Sequence, residues 1–131
     1  MNSIAGYQAY QKNKYETASP HRLILMLYSG AIKYLKQTNS ALEAEDYSSA
    51  HEYNLKVQDI LFELISSLNE REGGEMASNL KQLYLYMIDQ LVQSNINKSV
   101  EPLGEIYGML ESIKDAWETI GKEMTAGRNY A

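Results

Sequence analysis

Residues 19–43 read SPHRLILMLYSGAIKYLKQTNSALE, and their pattern is the clearest indication of the fold class of the chain. Ser19 followed by Pro20 is typical of a helix start, because serine caps free N–H groups and proline is tolerated at the first helical position. The apolar residues that follow recur at helical spacing, and one side of the helix collects Leu23, Leu27, Tyr34, Leu35 and Leu42. The stretch therefore predicts a long amphipathic helix near residues 20–44.

The rest of the chain repeats this pattern between recognisable breaks. Asp46 can cap a following helix, Gly73-Gly74 marks a stop and turn, and Pro102 falls in a plausible first turn. These breaks leave segments near 20–44, 47–71, 75–97 and 100–125. The predicted core stripes of the last three are Val57, Leu61, Leu64, Ile65 and Leu68; Leu80, Leu83, Tyr84, Met87 and Leu91; and Ile106, Leu110, Ile113, Trp117 and Ile120.

Helices of similar length joined by short loops pack as antiparallel neighbours. The expected fold is therefore an all-α, antiparallel up-and-down four-helix bundle with an N-terminal capping segment. The chain has 131 residues, a length typical of one domain. We expect a single domain over 1–131, with a cap segment at 1–18, the bundle at 19–126 and a frayed tail at 127–131.

Composition excludes several classes of function. Seventeen acidic and twelve basic residues give a net charge of −5, which argues against a nucleic-acid binder. No run approaches the roughly 18 apolar residues of a membrane helix, and the N-terminus lacks the regions of a signal peptide. The expectation is a soluble cytosolic protein without membrane insertion.

Residues for catalysis or for holding a cofactor are scarce. There is no cysteine, and neither of the two histidines, His21 and His51, follows a glutamate three residues earlier, as a di-iron site would need. Phosphate-binding glycine loops and nucleophile elbows are missing too. We therefore expect no enzyme, no metal site and no cofactor.

Two of the predicted helices carry more apolar surface than a small bundle needs. Around 20–43 the apolar arc spans on the order of 200°, about twice the usual stripe, and 75–97 behaves similarly. Such an arc must be covered by the N-terminal segment, by a second copy of the chain or by a partner, unless two neighbouring helices already bury it. The chain also has eleven tyrosines but one phenylalanine, and Tyr28 and Tyr84 lie on the extended arcs. Tyrosine suits a surface that is apolar yet tolerates water.

The same residues resemble a known family. The run from Ser19 to Ile32 resembles the helix-opening signature of the FliS flagellin-export chaperones, and Ser29 stands where that family commonly has an acidic residue. A second stretch of the chain is similar to another signature of that family. Its matching residues are Leu68-Asn69, Gly73-Gly74-Glu75-Met76-Ala77, Asn79-Leu80 and Leu83-Tyr84-Leu85-Tyr86-Met87. Further matches are Tyr7-Gln8-Ala9-Tyr10 and Ala116-Trp117.

The resemblance implies a bacterial cytosolic chaperone that binds the C-terminal region of flagellin, prevents premature polymerisation and supports export during flagellum assembly. It also implies that residues 1–18 pack on the bundle as a displaceable cap. The export apparatus is a possible second partner, and the free protein is expected to be a monomer or weak homodimer. The alternative is a self-associating structural or adaptor bundle without a flagellin client. The predicted partner-binding residues are Ile4, Tyr7, Tyr10, Leu25, Tyr28, Ile32, Leu35, Tyr84 and Ile88, with the tyrosine hydroxyls at a wet rim.

Overall fold

The computed structural model describes residues 19–130, with side chains described through residue 122. The predicted cap segment 1–18, with Ile4, Tyr7 and Tyr10, lies outside the described residues. Within them the chain forms four α-helices, which we number in chain order: α1 Pro20–Glu43, α2 Tyr47–Ser66, α3 Glu70–Asn97 and α4 Glu101–Tyr130.

The helices form a closed bundle. Each packs against its neighbours along the chain, and α1 also packs against α4, which completes the ring. Short connections at residues 44–46, 67–69 and 98–100 force consecutive helices to run antiparallel. The predicted all-α, up-and-down four-helix bundle is confirmed.

Polar side chains fix the helix starts. The Ser19 hydroxyl accepts from the Arg22 N–H at 3.2 Å, and Asp46 Oδ1 accepts from the Ser49 N–H at 3.3 Å. Both predicted caps are confirmed. Pro102 lies in the first turn of α4, as predicted, where the missing N–H leaves no helical hydrogen bond unmade.

The boundary between α2 and α3 differs from the prediction. The second helix was expected to reach residue 71 and to stop at the glycine pair, but α2 ends at Ser66 and Asn69 caps α3, accepting from the Glu72 N–H at 3.2 Å. Gly74 still breaks the helix, with φ 54° and ψ −130°, a conformation that side chains with a Cβ rarely adopt. The glycine therefore acts one turn inside α3 as a kink.

The C-terminal end of α4 also differs from the prediction. The helix continues to Tyr130, beyond the expected end at 125. Gly127 is tolerated because one glycine costs a helix only about 1 kcal/mol, and no proline follows it.

The core occupies the centre of the bundle along its length. Its fully buried side chains include the residues Leu35, Val57, Leu61, Leu64, Tyr84, Met87, Leu91, Ile106 and Leu110. All of these positions belong to the predicted stripes. Leu83 and Ile120, which were also expected in the core, are instead exposed.

Candidate functional site

An apolar groove lies at one end of the bundle. Two adjoining depressions, of about 520 Å³ and 400 Å³, share Ile24, Ser67 and Trp117 in their walls. The antiparallel topology brings together here the start of α1, the end of α2, the start of α3 and the Trp117 region of α4. We call this surface the end groove.

Apolar side chains dominate the walls of the end groove. The first turns of α1 contribute Leu23, Ile24 and Leu27, each only half-buried. Across the groove, just beyond the kink at Gly74, Met76 is 72% exposed and lies at its rim. Contiguous apolar surface of this kind, left open to solvent in a concavity, is typical of a binding site.

A reciprocal contact between His21 and Trp117 builds one wall. His21 Nε2 lies 2.6 Å from the Trp117 carbonyl oxygen, and Trp117 Nε1–H donates to the His21 carbonyl oxygen at 3.0 Å. The two rings stack with centroids 5.0 Å apart and planes 10° from parallel. The contact fixes the start of α1 on α4 and holds the indole at the groove.

Gly121 makes this contact possible. The His21 ring lies so close to its backbone that a Cβ at residue 121 would overlap with His21 Cε1. A side chain at this position would therefore displace the histidine from the tryptophan.

Two buried tyrosines form the floor of the groove. Tyr28 and Tyr84 are 2% and 1% exposed, and their hydroxyl oxygens lie 2.6 Å apart in a hydrogen bond between α1 and α3. Burial raises the pKa of both phenols, because the anion is disfavoured away from water. For Tyr84 the hydrogen bond to Tyr28 raises the pKa further, and for Tyr28 the same bond opposes the effect of burial.

Several residues that were predicted to contact a partner are less exposed in the structure than expected. Leu25 is half-buried and follows the groove residue Ile24 in α1, but Ile32, Leu35 and Ile88 are buried in the bundle. The expectation that the hydroxyls of Tyr28 and Tyr84 stay at a wet rim is wrong. The wide arc of α1 is mostly buried because this helix packs against both α2 and α4.

A second apolar surface was not predicted from the sequence. It lies on the outer side of the α2–α3 pair, and we call it the lateral face; it consists of Leu55, Phe62, Leu85, Val92 and Ile96. Phe62, the single phenylalanine of the chain, is 50% exposed and Ile96 is 67% exposed. Leu55 and Phe62 are seven residues apart and lie outside the core stripe of α2. This helical spacing is the sequence signal from which a second apolar face could have been predicted.

The described residues show neither a metal-binding cluster nor a membrane-spanning helix. Within residues 19–122 no group of three or more His, Asp or Glu side chains could hold a metal ion. None of the described helices combines the length and hydropathy needed to span a membrane.

Comparison with known proteins places the chain in a family. A family model described as "Flagellar protein FliS" matches residues 3–124. The flagellar secretion chaperone FliS of Bacillus subtilis (strain 168) is 37% identical over 112 residues, which cover 86% of this chain and 83% of that protein. The protein of the same name from Salmonella typhimurium is 36% identical over 125 residues, covering 92% of this chain and 93% of that protein.

The fold agrees with this assignment. A solved structure described as a flagellar chaperone from bacteria superposes with a TM-score of 0.76 and 19% identity, covering 92% of this chain and 98% of that one. The resemblance carried by the Ser19–Ile32 signature is confirmed by matches over nearly the whole sequence. The chain belongs to the FliS family of flagellar proteins.

Proposed function

We propose that this protein is a cytosolic export chaperone that binds the C-terminal region of flagellin, prevents its premature polymerisation and supports its export. The observation that carries the proposal is the family match over residues 3–124, together with relatives named as flagellar secretion chaperones. The proposal needs no catalytic residue and no cofactor, since holding a client apart from other copies requires only binding.

The end groove is the proposed binding site for the client, and its apolar walls support the proposal. An amphipathic segment could insert its apolar face between Ile24 on α1 and Met76 on α3, against Trp117. Helix-in-groove recognition of this kind uses apolar anchors at helical spacing. A segment that becomes ordered only on binding loses conformational entropy, and burial of a large apolar interface offsets that loss.

The predicted contact set is revised accordingly. We retain Leu25, which is half-buried, and add Ile24, Met76 and Trp117 as proposed anchors. Tyr28 and Tyr84 contribute as the floor of the groove. Ile32, Leu35 and Ile88 are omitted, because they are buried.

We further propose that residues 1–18 act as a cap that the client displaces, through Ile4, Tyr7 and Tyr10. Its support is the resemblance and the covalent connection, since the segment leads directly into Pro20 and His21 in the groove wall. Deleting residues 1–17 should then change the affinity for the client. An unchanged Kd with a bundle that still folds would contradict the cap.

The direct test of the proposed function is titration calorimetry of the full chain with the C-terminal segment of the cognate flagellin. We expect binding, ordering of the segment by circular dichroism, and about ten-fold weaker binding for Met76→Ser, because an exposed apolar anchor is lost. Tyr107→Ser, which removes an exposed aromatic residue outside the groove, is the matched control. Absence of heat and of ordering would refute the proposed function.

Sedimentation of the free protein addresses the alternative of a structural, self-associating bundle. A monomer or weak dimer agrees with a chaperone whose surface is open to a client. A tight dimer that buries the end groove would instead support the structural role.

A further inference from the structure

The lateral face has a geometry of its own, separate from the end groove. On α2, His51, Leu55, Gln58 and Phe62 follow one another three or four residues apart and so share one stripe. On α3 the stripe of Leu85, Ile88, Val92 and Asn95 has the same spacing. Two hydrogen bonds set the register between the helices: His51 Nδ1 with Asn95 Nδ2 at 2.8 Å, and Asn54 Nδ2 to the Leu91 carbonyl at 2.9 Å.

This register places the exposed apolar residues side by side. Since α2 and α3 run antiparallel, pairing 51 with 95 and 54 with 91 puts Phe62 level with Leu85 and Leu55 level with Val92. Ile96 extends the apolar strip one turn further along α3. From Leu85 to Ile96 the strip is about 16 Å long, which matches about three turns of a partner helix.

Carboxylates flank the strip, and the lysines near it already contact other groups. Lys56 lies over the Tyr34 and Tyr53 rings, and Lys98 lies over the Tyr47 ring. Glu52 and Asp59 lie within four residues of Leu55, and Asp89 lies between Leu85 and Val92; all three are exposed. None of these carboxylates forms an ion pair within the described part of the chain. Lys81, one turn before Leu85, is bonded to Glu70 at 3.1 Å.

We propose that the lateral face binds an amphipathic helix of a second protein partner, with an apolar stripe flanked by lysine or arginine. The apolar strip supplies the anchors, with Phe62 and Leu85 at one end and Ile96 at the other, and the unpaired carboxylates select a basic partner by charge complementarity. A second copy of this chain is disfavoured as the occupant, because packing two lateral faces together would bring the same carboxylates against each other.

The probes for the test are two synthetic helical peptides of about four turns, both with a leucine stripe at helical spacing. One peptide carries lysines beside the stripe and the other carries glutamates. Their affinities for the full-length protein are measured by fluorescence anisotropy at low and high salt. We expect the lysine peptide to bind, with an affinity that falls as salt is added, and the glutamate peptide not to bind.

Variants then locate the binding. The double variant Phe62→Ser/Leu85→Ser should lower the affinity for the lysine peptide by about ten-fold or more. The charge variant Asp59→Lys/Asp89→Lys should remove most of the salt dependence of that affinity. The matched controls, Tyr107→Ser and Asp115→Lys, are exposed positions on α4 and should leave the affinity unchanged. Because the charge variants change only exposed side chains, they test the face even if the apolar variant proves unstable.

Four results would overturn the inference. They are equal binding of both peptides, equal loss in the control variants, self-association of the free protein that Phe62→Ser abolishes, and loss of flagellin-segment binding in Phe62→Ser/Leu85→Ser. The last result would assign the lateral face to the client and leave the proposed function intact. Failure of the flagellin titration with retained binding of the lysine peptide would remove the proposed function and leave this inference standing.

Discussion

The end groove and the lateral face are both apolar, but they are built differently. The groove is concave, and its wall and floor are joined by hydrogen bonds between helices, His21 with Trp117 and Tyr28 with Tyr84. The lateral face is open, and its residues Phe62, Leu85 and Ile96 project from the bundle. A groove that contains buried polar contacts couples binding to stability, whereas an exposed face can change its binding with little effect on folding.

The largest expected effect comes from the groove wall. Trp117→Ala removes the stacked ring and its hydrogen bond to the His21 carbonyl, and we expect a loss of about 2–3 kcal/mol in the free energy of unfolding. Client affinity should fall as well, because the start of α1 loses its attachment to α4. Urea denaturation of the variant and the parent measures the first effect. A loss below about 0.5 kcal/mol would show that the wall is not part of the cooperative fold.

The next largest loss of stability is expected for the Tyr28–Tyr84 pair, where single and double variants can be compared. Tyr28→Phe leaves the Tyr84 hydroxyl buried without a partner and should cost about 1–3 kcal/mol. The double variant Tyr28→Phe/Tyr84→Phe removes both hydroxyls and should be close to the parent in stability. Denaturation of the two single variants and the double variant forms a complete cycle. Additive losses would contradict a direct interaction between the hydroxyls.

The same pair predicts a pH dependence. Both phenols have a pKa above the ordinary value of 10.0 in the folded state, so the folded protein keeps these protons when the unfolded chain releases them. Their stabilisation is fully present below pH 10.0 and is lost as the pH rises above it toward the folded-state values. Denaturation between pH 9 and 11 should show a steeper loss of stability in the parent than in the double phenylalanine variant. Equal slopes would contradict the assignment.

Glycine substitutions in α4 should have opposite signs at two positions. Gly121→Ala forces the His21 ring away from Trp117 and should destabilise the protein by about 1 kcal/mol net, after the helix-propensity gain of alanine. At Gly108 a Cβ meets nothing within 4 Å, so Gly108→Ala should stabilise by up to about 1 kcal/mol. Thermal melts of the two variants check the difference. Equal shifts would mean that the His21 ring adjusts freely.

The smallest effect on stability is expected at the lateral face. Phe62→Ser replaces a half-exposed side chain, and its free energy of unfolding should stay within about 0.5 kcal/mol of the parent. Parallel denaturation and peptide-binding measurements would show binding lost without loss of folding. A loss of stability like that of Trp117→Ala would remove the distinction between the two surfaces.

Local signals in the sequence were sufficient for the helices and most of their limits. Ser19, Asp46 and Pro102 mark starts that depend on a single side chain or ring, so short-range chemistry identifies them. The α2–α3 boundary was misread because Asn69 and Gly74 are both helix signals in the same stretch. Only the folded chain shows that the asparagine begins α3 and that the glycine bends it.

The candidate site was less accessible from the sequence. A helical wheel shows that Tyr28, Ile32 and Tyr84 are on apolar arcs, but not which part of an arc a neighbouring helix covers. In the bundle Tyr28 and Tyr84 form the floor of the end groove and Ile32 lies in the core, while Met76 and Trp117 line the open groove. Phe62 and Leu85 form one surface because two helices meet in a particular register, and register depends on contacts far apart in the chain.

Local sequence patterns were enough to predict the all-α class, the starts of α1, α2 and α4 and, through extended signatures, membership in the FliS family. These follow from caps, helical periodicity and residue identity, all of which act over a few turns. The folded bundle was needed to show which apolar residues are buried, how His21 contacts Trp117, and where two separate apolar surfaces are exposed. Burial and interhelical hydrogen bonds depend on how four helices pack together, and that arrangement is fixed only when the whole bundle has formed.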